Sequence, residues 1–258
     1  MITSPVFILS DFGTRDTYAA QMKAAILSFT GYGTPVVDLT HEVNRGSIIH
    51  GAFHLRAALP HLPEGSVTLA VVDPGVGSSR GGLAALWRGR YLVAPDNGLV
   101  SLLEPPVSLW KLPPPDSSVS KTFHGRDWFA PCAARLSVDP GWKDFLTILD
   151  DPVLLPRAAP VFQSSGIITA VLHEDRFGNC VLSIDSKRGI ALKATKVFVS
   201  GGEVPVRMAG FYGEGRVNEL MLIAGSQGFM ELAVRDGSAA ELLGLEPGMT
   251  VKLQTGEN

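Results

Sequence analysis

Over its first 150 residues the chain alternates short apolar runs with segments of helical period, and beyond that point the long helical segments stop. Residues 6–9, 35–39 and 67–72 read as buried strands, while residues 16–29 and 46–59 carry apolar side chains at helical spacing. A β-α-β-α-β order predicts a mostly parallel sheet, because parallel neighbours need a crossover and the crossover helix covers the sheet face. Residues 83–87 and 91–93, joined by Arg88-Gly89-Arg90, predict a hairpin extending that sheet, and residues 128–136 a further helix. Residues 151–165 hold three prolines and no clear period, which marks a linker. From 166 onward the chain reads as short strands between Gly-rich turns: 167–172, 180–184, 196–199, 217–223 and 249–253, with one short helix at 238–243. The expected organisation is an α/β N-terminal domain over 1–150, a linker over 151–165 and a smaller all-β barrel over 166–258.

Composition narrows the classes of function. With 258 residues, 45 % hydrophobic and 18 % charged, the chain can bury a substantial core without metals or disulfides. A net charge of −3 advertises no basic surface for nucleic acid. No apolar run approaches the roughly 20 residues that span a bilayer, and the first residues lack the pattern of a signal peptide, so a cytoplasmic location is expected. The two cysteines, Cys132 and Cys180, fall in separate domains and read as reduced core residues. No Cys/His spacing of a zinc site is present.

Four segments carry groups suited to chemistry. Asp11, in Ser10-Asp11-Phe12-Gly13, follows the first strand, where a carboxylate can accept two hydrogen bonds from a ribose diol or, alternatively, cap the next helix. Val71-Val72-Asp73-Pro74-Gly75-Val76-Gly77-Ser78-Ser79-Arg80 ends an apolar strand with a carboxylate and returns an arginine seven residues later. Phe123-His124-Gly125-Arg126-Asp127 and Asp175-Arg176-Phe177-Gly178-Asn179 complete the set. Taken singly, Asp73 reads as a turn residue, Arg80 as a solvated arginine and His124 as a structural histidine.

Together these segments resemble the S-adenosylmethionine hydroxide adenosyltransferase family, relatives of the fluorinases and chlorinases, over nearly the whole chain. The resemblance implies that Asp73, Arg80 and His124 form a catalytic set that activates water for attack on C5′ of S-adenosylmethionine, giving adenosine and L-methionine. It implies that Asp11 holds the ribose hydroxyls and that Phe123 lines the substrate site. It further implies that Asp175 meets the methionine ammonium, Phe177 stacks on adenine, and Asn179 hydrogen-bonds the adenine edge. Ser226, Arg235 and Gly237 match the carboxylate- and adenine-binding strands, and Tyr212 falls where a pocket aromatic is expected. The halogenase pattern has an arginine where this chain has Gln227. The resemblance also implies no metal or organic cofactor, and a homotrimer with active sites between one subunit's N-terminal domain and a neighbour's barrel.

Asp38-Leu39-Thr40-His41 resembles the family's DxTH segment, with His41 open to a pocket or a structural role. Asp96 and Asn97, in a plain Asn-Gly turn signal, are secondary candidates, and His50, His54 and His61 read as surface or core residues. The Asp-Arg-His set favours water over halide as nucleophile, since a halide needs desolvation and no base. A halide-dependent adenosyl transferase and a non-catalytic S-adenosylmethionine or adenosine binder are the alternatives.

Overall fold

The computed structural model describes residues 3–199 and 202–255. The chain divides into two compact units, Met1–Leu154 and Leu155–Asn258.

In the first unit, strand β1 (Val6–Ser10) leads to helix α1 (Tyr18–Thr30), and β2 (Val36–Thr40) to α2 (Ile48–Ala58). Then come β3 (Val67–Val71), the hairpin β4 (Gly82–Trp87) and β5 (Arg90–Pro95), β6 (Val107–Lys111), helix α3 (Ala130–Val138) and the short β7 (Thr147–Ile148). The sheet order is β2-β1-β3-β5-β4-β6-β7. The pairings β2–β1, β1–β3 and β3–β5 are parallel, while β5–β4, β4–β6 and β6–β7 are antiparallel. The sheet is therefore mixed rather than mostly parallel. The β4–β5 turn is the reason: Arg88 and Gly89 both take positive φ, 46° and 78°, which closes a two-residue hairpin and reverses the chain.

Strand β3 runs through the centre and explains the two-sided core. Val67, Leu69 and Val71 pack with Met22 and Ile26 of α1 and Ala130, Ala133 and Ala134 of α3. The alternate residue Ala70, with Val72 beyond the strand, packs with Leu55 of α2 and with Leu59 on the other face. The sequence places a helix at 128–136; the structure makes a π-helical turn, Gly125–Phe129, before α3 begins at Ala130.

The second unit is a nine-stranded sheet. It contains β8 (Val161–Gln163), β9 (Gly166–Glu174), β10 (Cys180–Asp185), β11 (Ala194–Val199) and β12 (Gly202–Pro205). The rest are β13 (Arg207–Ala209), β14 (Leu220–Ala224), β15 (Phe229–Val234) and β16 (Thr250–Thr255). The path is β12-β11-β16-β9-β10-β15-β14-β13, with β8 paired to β9 inside the segment expected as linker. Two short helices, α4 (Ser186–Gly189) and α5 (Ala239–Leu243), sit on it. Among the described residues no helix is long and apolar enough to cross a membrane.

Leu69 has no solvent exposure and is held by strands on both sides and helices above it. Leu69→Ala should cost about 2–5 kcal/mol of unfolding free energy, read from chemical denaturation. A loss below about 1 kcal/mol would contradict a close-packed core at β3.

Candidate active site

The strand order reverses between β1 and β3. From β1 the chain crosses to β2 on one side, then returns past β1 to β3 on the other. Such a switch point opens a crevice at the carboxyl ends of the two strands. Parallel register sets Ser10 beside Val71, so Asp11 and Asp73 emerge at the same edge.

The loop after β3 brings Arg80 back to Asp73 through consecutive turns, Val76 N–H to the Asp73 carbonyl (3.2 Å) and Ser78 N–H to the Gly75 carbonyl (3.1 Å). Gly77 has φ 78°, and a Cβ there would meet the Lys121 carbonyl oxygen at 2.5 Å, so the loop requires glycine. Arg80 Nε donates to Asp73 Oδ1 at 2.8 Å, and Arg80 Nη2 donates to Asp73 Oδ2. Arg80 Nη2 also lies 2.8 Å from His124 Nδ1. The guanidinium carries no acceptor, so Nδ1 accepts, and the neutral imidazole bears its proton on Nε2. Arg80 lies over Trp128 and Phe129, 5.2 and 4.8 Å from their ring centroids. The side chains of Arg80 and Asp73 keep only 10 % and 5 % exposure, so this bidentate pair works largely out of water.

His124 opens the π-helical turn and is buried. Its turn is anchored by Arg126, which pairs with Asp127 through Nε–Oδ1 at 2.5 Å and donates to Gln21 Oε1 of α1 at 2.8 Å. Burial, and then the neighbouring Arg80 cation, hold His124 below the usual histidine range, against the opposing pull of Asp73. His124 is thus kept in the form that can accept a proton.

Asp11 Oδ2 accepts from Gly46 N–H at 2.8 Å. Burial raises its pKa, with the Asp73 charge adding to the rise, while the Gly46 hydrogen bond and Arg45 oppose it. Phe123 packs edge-on against Phe12 and Tyr18, with centroids 5.6 and 5.2 Å away, which ties the His124 segment to the loop after β1. Phe12 and Tyr18 were not singled out by the sequence reading, although both flank Asp11 in a stretch with few other large side chains. Asn97 Nδ2 donates to the Val72 carbonyl at 2.8 Å and so steadies the strand end that carries Asp73. Asp96 Oδ1 accepts from Val153 N–H at 2.9 Å.

The remaining expected site residues lie in the second unit. Asp175 organises its own turn. Its Oδ1 accepts from Phe177 N–H at 2.8 Å and Asn179 N–H at 3.0 Å, and Oδ2 accepts from Asn179 Nδ2 at 2.9 Å. The Asn179 amide N–H₂ is thereby partly committed within the turn, leaving its carbonyl oxygen for another partner. Phe177 stands 71 % exposed at the tip. Gly178, with φ 78°, lets the turn approach Ser238, and Ala240 N–H donates to the Gly178 carbonyl at 3.0 Å. This places the Asp175 turn beside the segment with Gly237. Arg235 Nη1 donates to the Gly215 carbonyl at 2.8 Å, and Ser226 sits exposed in the β14–β15 turn. Tyr212 donates to Glu231 Oε2 at 2.9 Å, and its phenol is pushed up to about 12 by burial and by Glu231. The sequence reading missed Glu231, a buried carboxylate in β15; its only signal was an acid inside the apolar run Phe229–Val234.

The SAM hydroxide adenosyltransferase N-terminal domain family matches residues 6–145, and the corresponding C-terminal domain family matches residues 169–252. A Thermus thermophilus protein named (R)-S-adenosyl-L-methionine hydrolase is 41 % identical, with 96 % of this chain and 99 % of that protein covered. A protein of the same name from Salinispora tropica is 34 % identical over 96 % of both chains. A fluorinase from Actinopolyspora mzabensis is 25 % identical, again over 96 % of both. A solved structure of an uncharacterised conserved protein from Thermotoga maritima superposes with TM-score 0.84 at 29 % identity, covering 96 % of this chain and 99 % of that one.

The His124 assignment is open to direct titration. By histidine NMR its pKa should lie below 6.5, and Asp73→Asn should lower it further, since the Asp73 charge raises it. A value above 6.5, or a rise in the Asn variant, would contradict the geometry.

Proposed function

This chain belongs to the S-adenosylmethionine hydroxide adenosyltransferase family, and we propose that Asp73, Arg80 and His124 activate the water with which it hydrolyses S-adenosyl-L-methionine to adenosine and L-methionine. The observation that carries the catalytic assignment is the buried guanidinium shared between a carboxylate and a neutral imidazole.

The chemistry calls for such a group. A water oxygen forms the new bond to C5′ while the C5′–sulfur bond breaks and its electron pair returns to sulfur. The sulfonium leaves as a neutral thioether and needs no general acid. Water is the weak partner: its pKa in bulk is about 15.7, so its proton must be taken as it attacks. Arg80, held in place by Asp73, turns an N–H toward the nascent hydroxide, and His124 Nδ1, released from that N–H, receives the proton. Hydroxide character meeting a sulfonium cancels charge, so a dry, aromatic-walled site favours the transition state over the separated ions.

Asp11 holds the ribose hydroxyls and Phe123 closes the wall beside it. From the second unit, Asp175 and Ser226 take the amino-acid end, while Phe177, Asn179, Tyr212, Arg235 and Gly237 frame the adenine. A homotrimer, in which these two groups of residues come from neighbouring subunits, is part of this reading. So is closure of the nine-stranded sheet into a barrel, supported by the register shifts in β10 and β11 that bend those strands. A cytoplasmic setting accords with the free thiols Cys132 and Cys180, which burial pushes up to about 12 and so keeps unreactive.

Purified protein incubated with S-adenosylmethionine should yield adenosine and methionine at a rate unchanged by excess chloride. His124→Ala and Arg80→Ala should each lower kcat by roughly 10²-fold or more. A 5′-chlorinated product would make the protein a halide-dependent transferase. Binding without turnover would make it a sensor, and full turnover in both variants would remove the catalytic set.

A further inference from the structure

Next to Asp11 lies a chain of side chains that the reaction does not use, buried at Ser10 and His41 and reaching the surface at Asp38 and Lys23. His41 Nδ1 is 2.6 Å from Ser10 Oγ, and His41 Nε2 is 3.0 Å from Asp38 Oδ1. Lys23 Nζ in turn donates to Asp38 Oδ2 at 2.6 Å. Burial alone would raise the Asp38 pKa, but hydrogen bonds from Lys23 and His41 outweigh it and hold the carboxyl below its usual range. The Asp38 carboxylate is an acceptor, so the His41 Nε2 that meets it carries the proton. The other ring nitrogen, Nδ1, is tied to the Ser10 hydroxyl, so the ring is held from both sides.

The order Ser-His-Asp is that of a hydrolase triad, yet it cannot supply a nucleophile. Ser10 has no solvent exposure and His41 only 4 %. What the chain does touch is the segment holding Asp11. Gly13 N–H donates to the His41 carbonyl at 2.7 Å, and Val43 N–H to the Ser10 carbonyl at 3.4 Å. Gly46, at the far end of the same 41–46 loop, supplies the N–H that Asp11 Oδ2 accepts. A β-bulge makes this possible: Ile8 pairs with Asp38 but Leu9 with Thr40, so β2 gains one residue just before His41. Bulges of this kind re-aim side chains beside functional sites.

We propose that His41 is a positioning residue for ribose recognition: through Ser10 and the 41–46 loop it fixes the Asp11 carboxylate for a vicinal diol. This rests on the reading of Asp11 as the ribose ligand. A histidine that served only stability would change how much protein is folded, and not which nucleoside the folded protein prefers.

The test is the ratio of dissociation constants for 2′,3′-dideoxyadenosine and adenosine, measured by calorimetry on wild type, Asp11→Asn, His41→Phe, Ser10→Ala and Leu69→Ala. Wild type should prefer adenosine by about 10-fold or more, as expected for a charge-assisted hydrogen bond to a hydroxyl. His41→Phe and Ser10→Ala should bring that ratio toward the Asp11→Asn value while leaving dideoxyadenosine affinity within about twofold. Leu69→Ala, destabilised in the same unit, should keep the wild-type ratio. If Asp11→Asn loses the preference and both His41→Phe and Ser10→Ala retain it, the positioning role is refuted while the ribose reading stands. If Asp11→Asn itself retains the preference, the ribose reading fails and this proposal with it. Should His41→Phe not fold, Ser10→Ala decides.

Discussion

The arrangement turns on one guanidinium. Arg80 is held by both oxygens of Asp73, stacked over Trp128 and Phe129, and still donates to His124. Taken out of water, an arginine of this kind needs its carboxylate; losing either partner would strand a buried charge. The same pairing orders the loop between β3 and β4, because Asp73 and Arg80 mark its two ends. It also fixes the imidazole, since an arginine can only donate and so dictates the tautomer of His124. The contact that closes the loop is the contact that leaves a neutral base beside a permanent cation.

The sheet explains why these groups meet. Strands β1 and β3 run parallel and adjacent, and the chain crosses to opposite sides on leaving and re-entering them. Asp11 and Asp73 are consequently delivered to one edge, where the charge of one raises the pKa of the other. The second unit brings different groups: a self-braced Asp175 turn, an exposed Phe177 and a half-exposed Tyr212 that donates to the buried Glu231.

Much of this was legible in the sequence, for reasons that can be named. The run Val67–Val71 carries one small polar side chain, Thr68, among apolar ones, as suits a strand covered on both faces, and the Asp73-Pro74-Gly75 beyond it announced a turn. The alternation of strands and helices through β3 followed from the same logic. The β4–β5 hairpin was legible from its Arg88-Gly89-Arg90 turn, but the antiparallel strands beyond it were harder to see. Strand β6 sits between proline-bearing loops, and β7 has two residues, too few to show a period. The π-helical turn before α3 was hidden because five residues of apolar pattern do not distinguish i→i+4 from i→i+5 hydrogen bonding. The Ser10–His41–Asp38 chain depends on a bulge, and a one-residue register shift leaves no mark on composition. Glu231 was overlooked because its partner, Tyr212, is distant in sequence and the pairing exists only once β15 is folded.

The central claim is that the oxygen reaching C5′ comes from a water activated at Arg80 and His124. The most direct measurement is turnover of S-adenosylmethionine in ¹⁸O-enriched water, with mass analysis of the adenosine formed. The account predicts one ¹⁸O atom in the 5′-hydroxyl of each adenosine, and no accumulation of any 5′-substituted intermediate. Adenosine without the label would contradict it, because the nucleophile would then have come from somewhere other than solvent.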